Sequence, residues 1–243
     1  MAALLETEGL TKRFGGLIAT EDVSISIKAG EIRGLIGPNG AGKTTLVNLI
    51  TGIYPPSAGE IRLAGERLTG LPPHLVARRG LLRTFQVCRL FGNLSVRENL
   101  LLPYLARGSE ALAEGAARAR ELLELTKLTR LAEAPAKELS GGQRALLQVA
   151  AGFMLPELRC YVLDEPFAGI NPVIKEEIIE LIIEANRGRN LTFVIVSHEM
   201  AIMRRLCHSI SVLAQGRVVS EGTLDEVAGR HEVIAAYLGK GWA

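Results

Sequence analysis

Eight consecutive residues, Gly37-Pro38-Asn39-Gly40-Ala41-Gly42-Lys43-Thr44, satisfy the pattern G-x-x-x-x-G-K-[ST] in full. Glycine at 37, 40 and 42 allows backbone N–H groups to turn inward around phosphate oxygens. A strand-like run, Glu31 to Ile36, precedes the loop. A helical pattern, Gly42 to Thr51, follows it, with Leu46, Leu49 and Ile50 on one side. A helix opening there adds the positive end of its dipole to the phosphate site. Lys43 is then placed to reach the β- and γ-phosphates of a nucleotide, and the Thr44 hydroxyl to ligate Mg²⁺, with Thr45 next to it.

Asp164 and Glu165 end the apolar run Cys160-Tyr161-Val162-Leu163. In an open parallel sheet, ligands collect at the carboxyl ends of the strands, so carboxylates there sit beside a phosphate loop. Asp164 suits Mg²⁺, directly or through water, and Glu165 suits a proton acceptor or an orienter of the attacking water. His198 follows the β-branched run Leu191 to Val196 and is able to donate a hydrogen bond to a γ-phosphate; a purely structural histidine is the alternative. Gln86, after Arg83-Thr84-Phe85, reads either as an amide for the metal or water, or as a surface amide. Phe14 reads either as a stacking partner for adenine or as a core or turn aromatic. Leu139-Ser140-Gly141-Gly142-Gln143 is a small, polar, glycine-rich loop opening a helix, which makes a second anion site.

The elements that must position these residues are legible in outline. Val23 to Ile27 alternates apolar and polar residues, as a half-buried strand does. Tyr54 to Gly59 is a loop signal, and Glu60 to Ala64 resembles a short strand. Ser95 to Arg107 and Glu110 to Leu125 are helix-like, with Leu112, Ala116, Ala119, Leu122 and Leu123 on one face of the second. Asn171-Pro172 opens a helix carrying Ile174, Ile178, Leu181, Ile182 and Ala185 on one face, with Gly188 as its expected stop. Two short strands are expected around Gly216, then helices near Leu224 and Val233. The pattern suggests a helical lobe, residues 88–157, inserted into an α/β core formed by 1–87 and 158–243.

Composition narrows the partners. Lys+Arg 28 against Asp+Glu 26 gives no basic field for nucleic acid and no block of cations for a lipid surface. The cysteines, Cys88, Cys160 and Cys207, are odd in number and far apart, which fits small core or loop residues in a reducing compartment. The N-terminus shows no signal-peptide pattern, and no apolar run approaches the roughly 18 to 20 residues that span a bilayer. Any role at a membrane must come through a partner that supplies the spanning helices.

Taken in order, Phe14, Gly37 to Thr44, Gln86, Leu139 to Gln143, Asp164 with Glu165, and His198 resemble the ATP-binding cassettes of ABC transporters over essentially the whole chain. The resemblance implies an α/β fold: a P-loop NTPase core with a mixed sheet, an antiparallel N-terminal β-subdomain and an inserted α-helical signature subdomain. It implies ATP and Mg²⁺ as ligands, with Glu165, His198 and Gln86 as catalytic residues and Thr44, Gln86 and Asp164 around the metal. It implies a head-to-tail dimer with a second ABC ATPase subunit, in which Leu139 to Gln143 act on the partner's nucleotide. Transmembrane permease subunits, a substrate-binding protein behind them, and a peripheral place on the cytoplasmic face follow from the same resemblance. Leu10 to Gly16, Leu71-Pro72-Pro73-His74, Arg83 to Gln86 with Arg89-Leu90-Phe91, Ala168 to Pro172 and Val233 to Gly239 are similar to the larger ATPase subunit of branched-chain amino acid importers. Urea and amide importers and lipopolysaccharide exporters share much of this wording. Arg33, inside the strand before the phosphate loop, departs from the apolar residue usual there.

Overall fold

A computed structural model describes residues 3–85, 89–105 and 109–238, with the side chains of 109, 110 and 236–238 excepted. Gln86 and Cys88 lie outside the described residues. In chain order the strands are β1 (Ala3–Phe14), β2 (Leu17–Lys28), β3 (Ile32–Ile36), β4 (Ala58–Leu63), β5 (Glu66–Arg67), β6 (Leu81–Arg83), β7 (Cys160–Asp164), β8 (Thr192–Val196), β9 (Ser209–Ala214) and β10 (Arg217–Gly222). The helices are α1 (Lys43–Ile50), α2 (Pro73–Arg78), α3 (Val96–Leu105), α4 (Ser109–Leu125), α5 (Gly141–Gly152), α6 (Pro172–Arg189), α7 (Met200–Leu206), α8 (Leu224–Ala228) and α9 (His231–Leu238).

Strands β3, β7 and β8 are buried along their whole length, the signature of strands covered on both faces. They sit inside a six-stranded sheet of order β10-β9-β3-β8-β7-β6, parallel throughout except for the antiparallel β9–β10 pair. Successive side chains go to opposite faces. Ile32, Ile36, Tyr161, Leu163, Phe193 and Ile195 join a core shared with α3, α4, α5 and α6. Leu35, Cys160, Val162, Val194 and Val196 join a second core around α1.

The second core is closed by an antiparallel sheet of order β2-β1-β4-β5. In β2, Val23, Ile25 and Ile27 point inward and Ser24, Ser26 and Lys28 outward, as the alternation in the sequence requires. The twelve-residue β1 lacks so regular an alternation because it pairs on both edges through several register shifts. Helix α1 is thus enclosed between two sheets, with Leu46, Val47, Leu49 and Ile50 buried. That enclosure fixes the helix whose first turn carries Lys43 and Thr44.

One local expectation is corrected. Helix α6 passes Gly188 and ends after Arg189, because Asn190 adopts the left-handed conformation (φ 51°) that terminates helices. Arg33 does lie inside β3, as its position in the sequence indicates, and it is buried there. Its guanidinium meets Glu31 Oε1 at 2.7 Å, Glu221 Oε1 at 2.5 Å, the Ser211 hydroxyl at 2.8 Å and the Ser26 carbonyl at 2.9 Å. A buried charge with partners on this many sides is tolerated, and here it ties β2, β3, β9 and β10 together. Burial pushes the free thiols of Cys160 and Cys207 up to about 12, so neither is a reactive thiolate.

Candidate nucleotide-binding site

The loop from Gly37 to Gly42 leaves the carboxyl end of β3 and enters α1. Its backbone requires glycine at specific points. Gly37 (φ 151°) would place a Cβ 2.1 Å from the Leu213 carbonyl oxygen, and Gly42 (φ 101°) one 2.6 Å from that of Ala19. The loop therefore lies close against β9 and β2, and the Ala41 N–H donates within it to the Pro38 carbonyl at 3.1 Å. Lys43 is nearly buried, and its ammonium donates to the carbonyls of Gly37 at 2.7 Å and Pro38 at 3.1 Å. Burial lowers the Lys43 pKa, opposed by the charges of Glu165 and Asp164.

A cleft of about 640 Å³ opens over this loop. Asn39 to Thr45 form its floor, with Asp164, Glu165, Val196 and His198 on one side and Leu17, Ile18, Ala19, Gln215 and Gly216 on the other. The parallel pairing of β7 with β8 puts Asp164 opposite Val196, so both carboxylates and His198 emerge at one end of the sheet. Glu165 adopts φ 51°, a conformation uncommon for a non-glycine residue, while its N–H continues the ladder to the Val196 carbonyl at 2.9 Å. That turn aims its carboxylate at His198, with Nε2 to Oε1 at 3.2 Å. Burial raises the Glu165 pKa; the neighbouring His198 opposes this and the Asp164 charge adds to it.

Arg83 enters the sequence reading only as part of the Arg83 to Gln86 string, with no role at the site, yet it is central here. It ends β6, and its Nη2 meets Asp164 Oδ2 at 2.8 Å in a pair exposed by only 9% and 5%. Its Nη1 also donates to Asn48 Oδ1 on α1. The Thr84 hydroxyl accepts the Asp164 N–H at 3.1 Å. Burial raises the Asp164 pKa, opposed first by Arg83 and then by Lys43. No local sequence pattern marks an arginine as an ion-pair partner across a sheet; only the β6–β7 register does.

Arg83→Met is expected to destabilise the unliganded chain by about 3–5 kcal/mol, because it leaves a buried carboxylate unpaired. An acid whose folded pKa is raised holds its proton more tightly in the native state, so its ionisation costs stability as pH rises. The cost of the substitution should thus open as pH rises through the folded pKa of Asp164, which lies above the ordinary 3.8 of aspartate, and shrink below it. Denaturant midpoints of both proteins across pH 4 to 8 would check this, and a gap independent of pH would contradict it.

The remaining residues singled out in the sequence fall elsewhere. Phe14 is 44% exposed and does not line the cleft. It packs edge-on against Tyr54 at 5.3 Å, with the Lys12 ammonium 5.1 Å from its ring, while Leu17 to Ala19 supply the apolar wall. Leu139 to Gln143 also lie outside the cleft lining. Leu139 is buried, and the exposed Ser140 caps α5. Its hydroxyl accepts the Gln143 N–H at 3.2 Å and Gln143 Oε1 accepts the Ser140 N–H at 2.9 Å, a reciprocal capping box. The amides of Gly141 and Gly142 stay in the first helical turn, where they have no intrahelical acceptor.

Comparison with known proteins places this geometry. The family model for ABC transporters matches residues 20–168. The high-affinity branched-chain amino acid transport ATP-binding protein BraF of Pseudomonas aeruginosa is 37% identical over 254 aligned positions, covering 98% of each chain. LivG of Salmonella typhimurium, with the same description, is 39% identical over 98% of each chain. A crystal structure of the ADP conformation of an ATP-binding cassette from an ABC transporter superposes with a TM-score of 0.87 at 31% identity, covering 99% of this chain and all of that one. Among the described residues no helix is long and apolar enough to cross a membrane. With a phosphate loop, paired carboxylates and a capped glycine-rich helix set in this α/β frame, the chain belongs to the ABC transporter family as one of its ATP-binding cassettes.

Proposed function

We propose that this chain hydrolyses ATP to drive a membrane importer of branched-chain amino acids. The observation that carries the ATPase reading is one cleft that gathers Lys43, Thr44, Asp164, Glu165 and His198. In this reading the N–H groups at the start of α1, with those of Asn39 and Gly40, and the Lys43 ammonium hold the β- and γ-phosphates. Lys43 exchanges its bonds to the Gly37 and Pro38 carbonyls for bonds to phosphate oxygens. Glu165 accepts the proton of the attacking water, and His198 holds the Glu165 carboxylate in place.

The Thr44 hydroxyl and the Asp164 carboxylate line the same cleft and are hard oxygen donors, a set that fits Mg²⁺. Bound there, Mg²⁺ would neutralise phosphate charge. Arg83 fixes Asp164 Oδ2, which leaves the orientation of the carboxylate set before a ligand arrives. Gln86 is assigned to the same metal and water by resemblance alone.

Ser140 and the Gly141 and Gly142 amides serve the nucleotide of a second cassette, since they lie outside the cleft of their own chain. The working unit is therefore a dimer of cassettes on two permease subunits, peripheral at the cytoplasmic face of the membrane, with a substrate-binding protein delivering cargo. The branched-chain cargo is carried over from BraF and LivG, whose descriptions name that transport.

Lys43→Ala tests the site: nucleotide affinity should fall about 10- to 100-fold, the worth of one charge-assisted bond. Equilibrium titration with a fluorescent ATP analogue reads this directly. Unchanged affinity would place the nucleotide elsewhere. Uptake of leucine, isoleucine and valine by cells lacking the chain tests the cargo; undiminished uptake would overturn it.

A further inference from the structure

One side chain on α5 is bonded at both ends of its amide to the segment that follows β6. Gln148 Nε2 donates to the Phe85 carbonyl at 2.9 Å, and Gln148 Oε1 accepts the Arg89 N–H at 2.9 Å. The amide orientation is fixed by its partners, since a carbonyl needs a donor and an N–H an acceptor. Gln148 thus bonds the chain on both sides of residues 86–88. The Phe85 ring in turn has the guanidinium groups of Arg83 and Arg89 at 5.0 and 4.3 Å. Arg83 is the residue that holds Asp164.

The same point of α5 is held from below. The Tyr161 hydroxyl donates to the Gln148 and Val149 carbonyls at 3.3 and 3.2 Å from strand β7. Gly152, one turn on, packs so closely over the Tyr161 ring that a Cβ would meet it at 2.2 Å. The far half of α5 is therefore seated on the core, and at its near end Gly142 lies against Ile170 and Ile174, so Gln148 is the polar tie on the side that faces Phe85 and Arg89. Eight residues at 1.5 Å each put Ser140 about 12 Å from Gln148, so a tilt of about ten degrees there moves Ser140 by about 2 Å. A hydrogen bond to a phosphate does not survive such a shift, and misplacement by about 1 Å is enough to cost a reaction about 100-fold.

We propose that Gln148 is a positioning residue: it sets the tilt of α5 against the segment leaving β6, and so places Ser140 for the nucleotide of the second cassette. The proposal rests on the reading of Ser140 as acting in trans. Only a primary amide of this length donates to Phe85 and accepts from Arg89 at once. Glutamate keeps the shape but faces the Phe85 carbonyl with a second acceptor, and leucine keeps the volume but neither bond.

The test uses the full chain carrying Glu165→Gln, with Gln148→Glu and Gln148→Leu added separately. Spin labels at the exposed Glu138, two residues before Ser140, and at the exposed His74 of α2 report the tilt as a distance distribution in the single chain. Light scattering reports the ATP concentration at half dimerisation. Both variants should broaden the distribution and raise that concentration about tenfold or more, the worth of about 1.4 kcal/mol. Nucleotide affinity of the single chain should stay within about twofold, since no bond to the cleft is lost. Gln148→Glu, which preserves volume and the Arg89 bond, keeps the test open should the leucine variant fold poorly. An unchanged distance distribution overturns the proposal, as does an unchanged dimerisation midpoint. Ser140→Arg, measured in parallel, separates the two readings. Normal dimerisation of that variant defeats the trans assignment itself, whereas its failure beside normal Gln148 variants defeats only the role of Gln148.

Discussion

Glu165→Gln should lower ATP turnover by about 10²- to 10⁴-fold, the contribution of a positioned general base, while ATP still binds. The amide matches the carboxylate in shape, so the contact to His198 and the backbone ladder to Val196 have no reason to change. What it lacks is basicity. Glu165 is buried enough that its pKa is raised, with the Asp164 charge adding to the effect. Its ionisation therefore costs stability at neutral pH, and the glutamine protein should melt no lower than the parent. The same shift places the acid limb of the wild-type rate profile above the ordinary 4.5 of glutamate, because the base works only as the carboxylate. Because the ATP is not consumed, the variant should accumulate as an ATP-bound dimer. Steady-state phosphate release and gel filtration with and without ATP read both effects. Undiminished turnover would remove Glu165 from the role of base.

Ser140→Arg should abolish dimer-dependent hydrolysis while the single chain keeps its nucleotide affinity within about twofold. The side chain is exposed at the start of α5 and outside the cleft of its own subunit, so nothing that holds the cis nucleotide is touched. An arginine there fills the space above the Gly141 and Gly142 amides that a phosphate would occupy. It also removes the capping hydroxyl, which costs about 0.5–2 kcal/mol of stability. A melting temperature lower by a few degrees, at about 2–4 °C per kcal/mol for a chain this size, marks that structural share. Loss of nucleotide binding by the single chain would mean that the loop serves its own subunit.

The parts of this architecture that were legible are those whose chemistry is local. The strand-loop-helix order around Gly37 to Thr44 follows from adjacent residues, because the loop's backbone and the helix that receives it are continuous. The face of α6 was legible because 3.6-residue periodicity is written in neighbours; Ile178, Leu181, Ile182 and Ala185 are buried, and Ile174 is partly so. Strand β1 was harder, since register shifts against two neighbours blur its alternation. The end of α6 was misjudged because glycine is the commoner stop, whereas here Asn190 takes the left-handed position. Of the two readings of Phe14, a stacking partner for adenine or a turn aromatic, its packing on Tyr54 fits the second, while Leu17 to Ala19 line the cleft.

By itself the sequence determined which groups are present and in what order along the chain: a phosphate loop, two carboxylates, a histidine and a capped glycine-rich helix. Only the tertiary structure decided which of them meet. Parallel pairing of β3, β8 and β7 brings residues more than a hundred positions apart to one sheet end. Pairing of β6 with β7 sets Arg83 against Asp164, and the seating of α5 brings Gln148 to Phe85 and Arg89. Those contacts depend on register and on the angle at which a helix sits over a sheet. Such quantities are fixed by the packing of two cores, and no short stretch of residues encodes them.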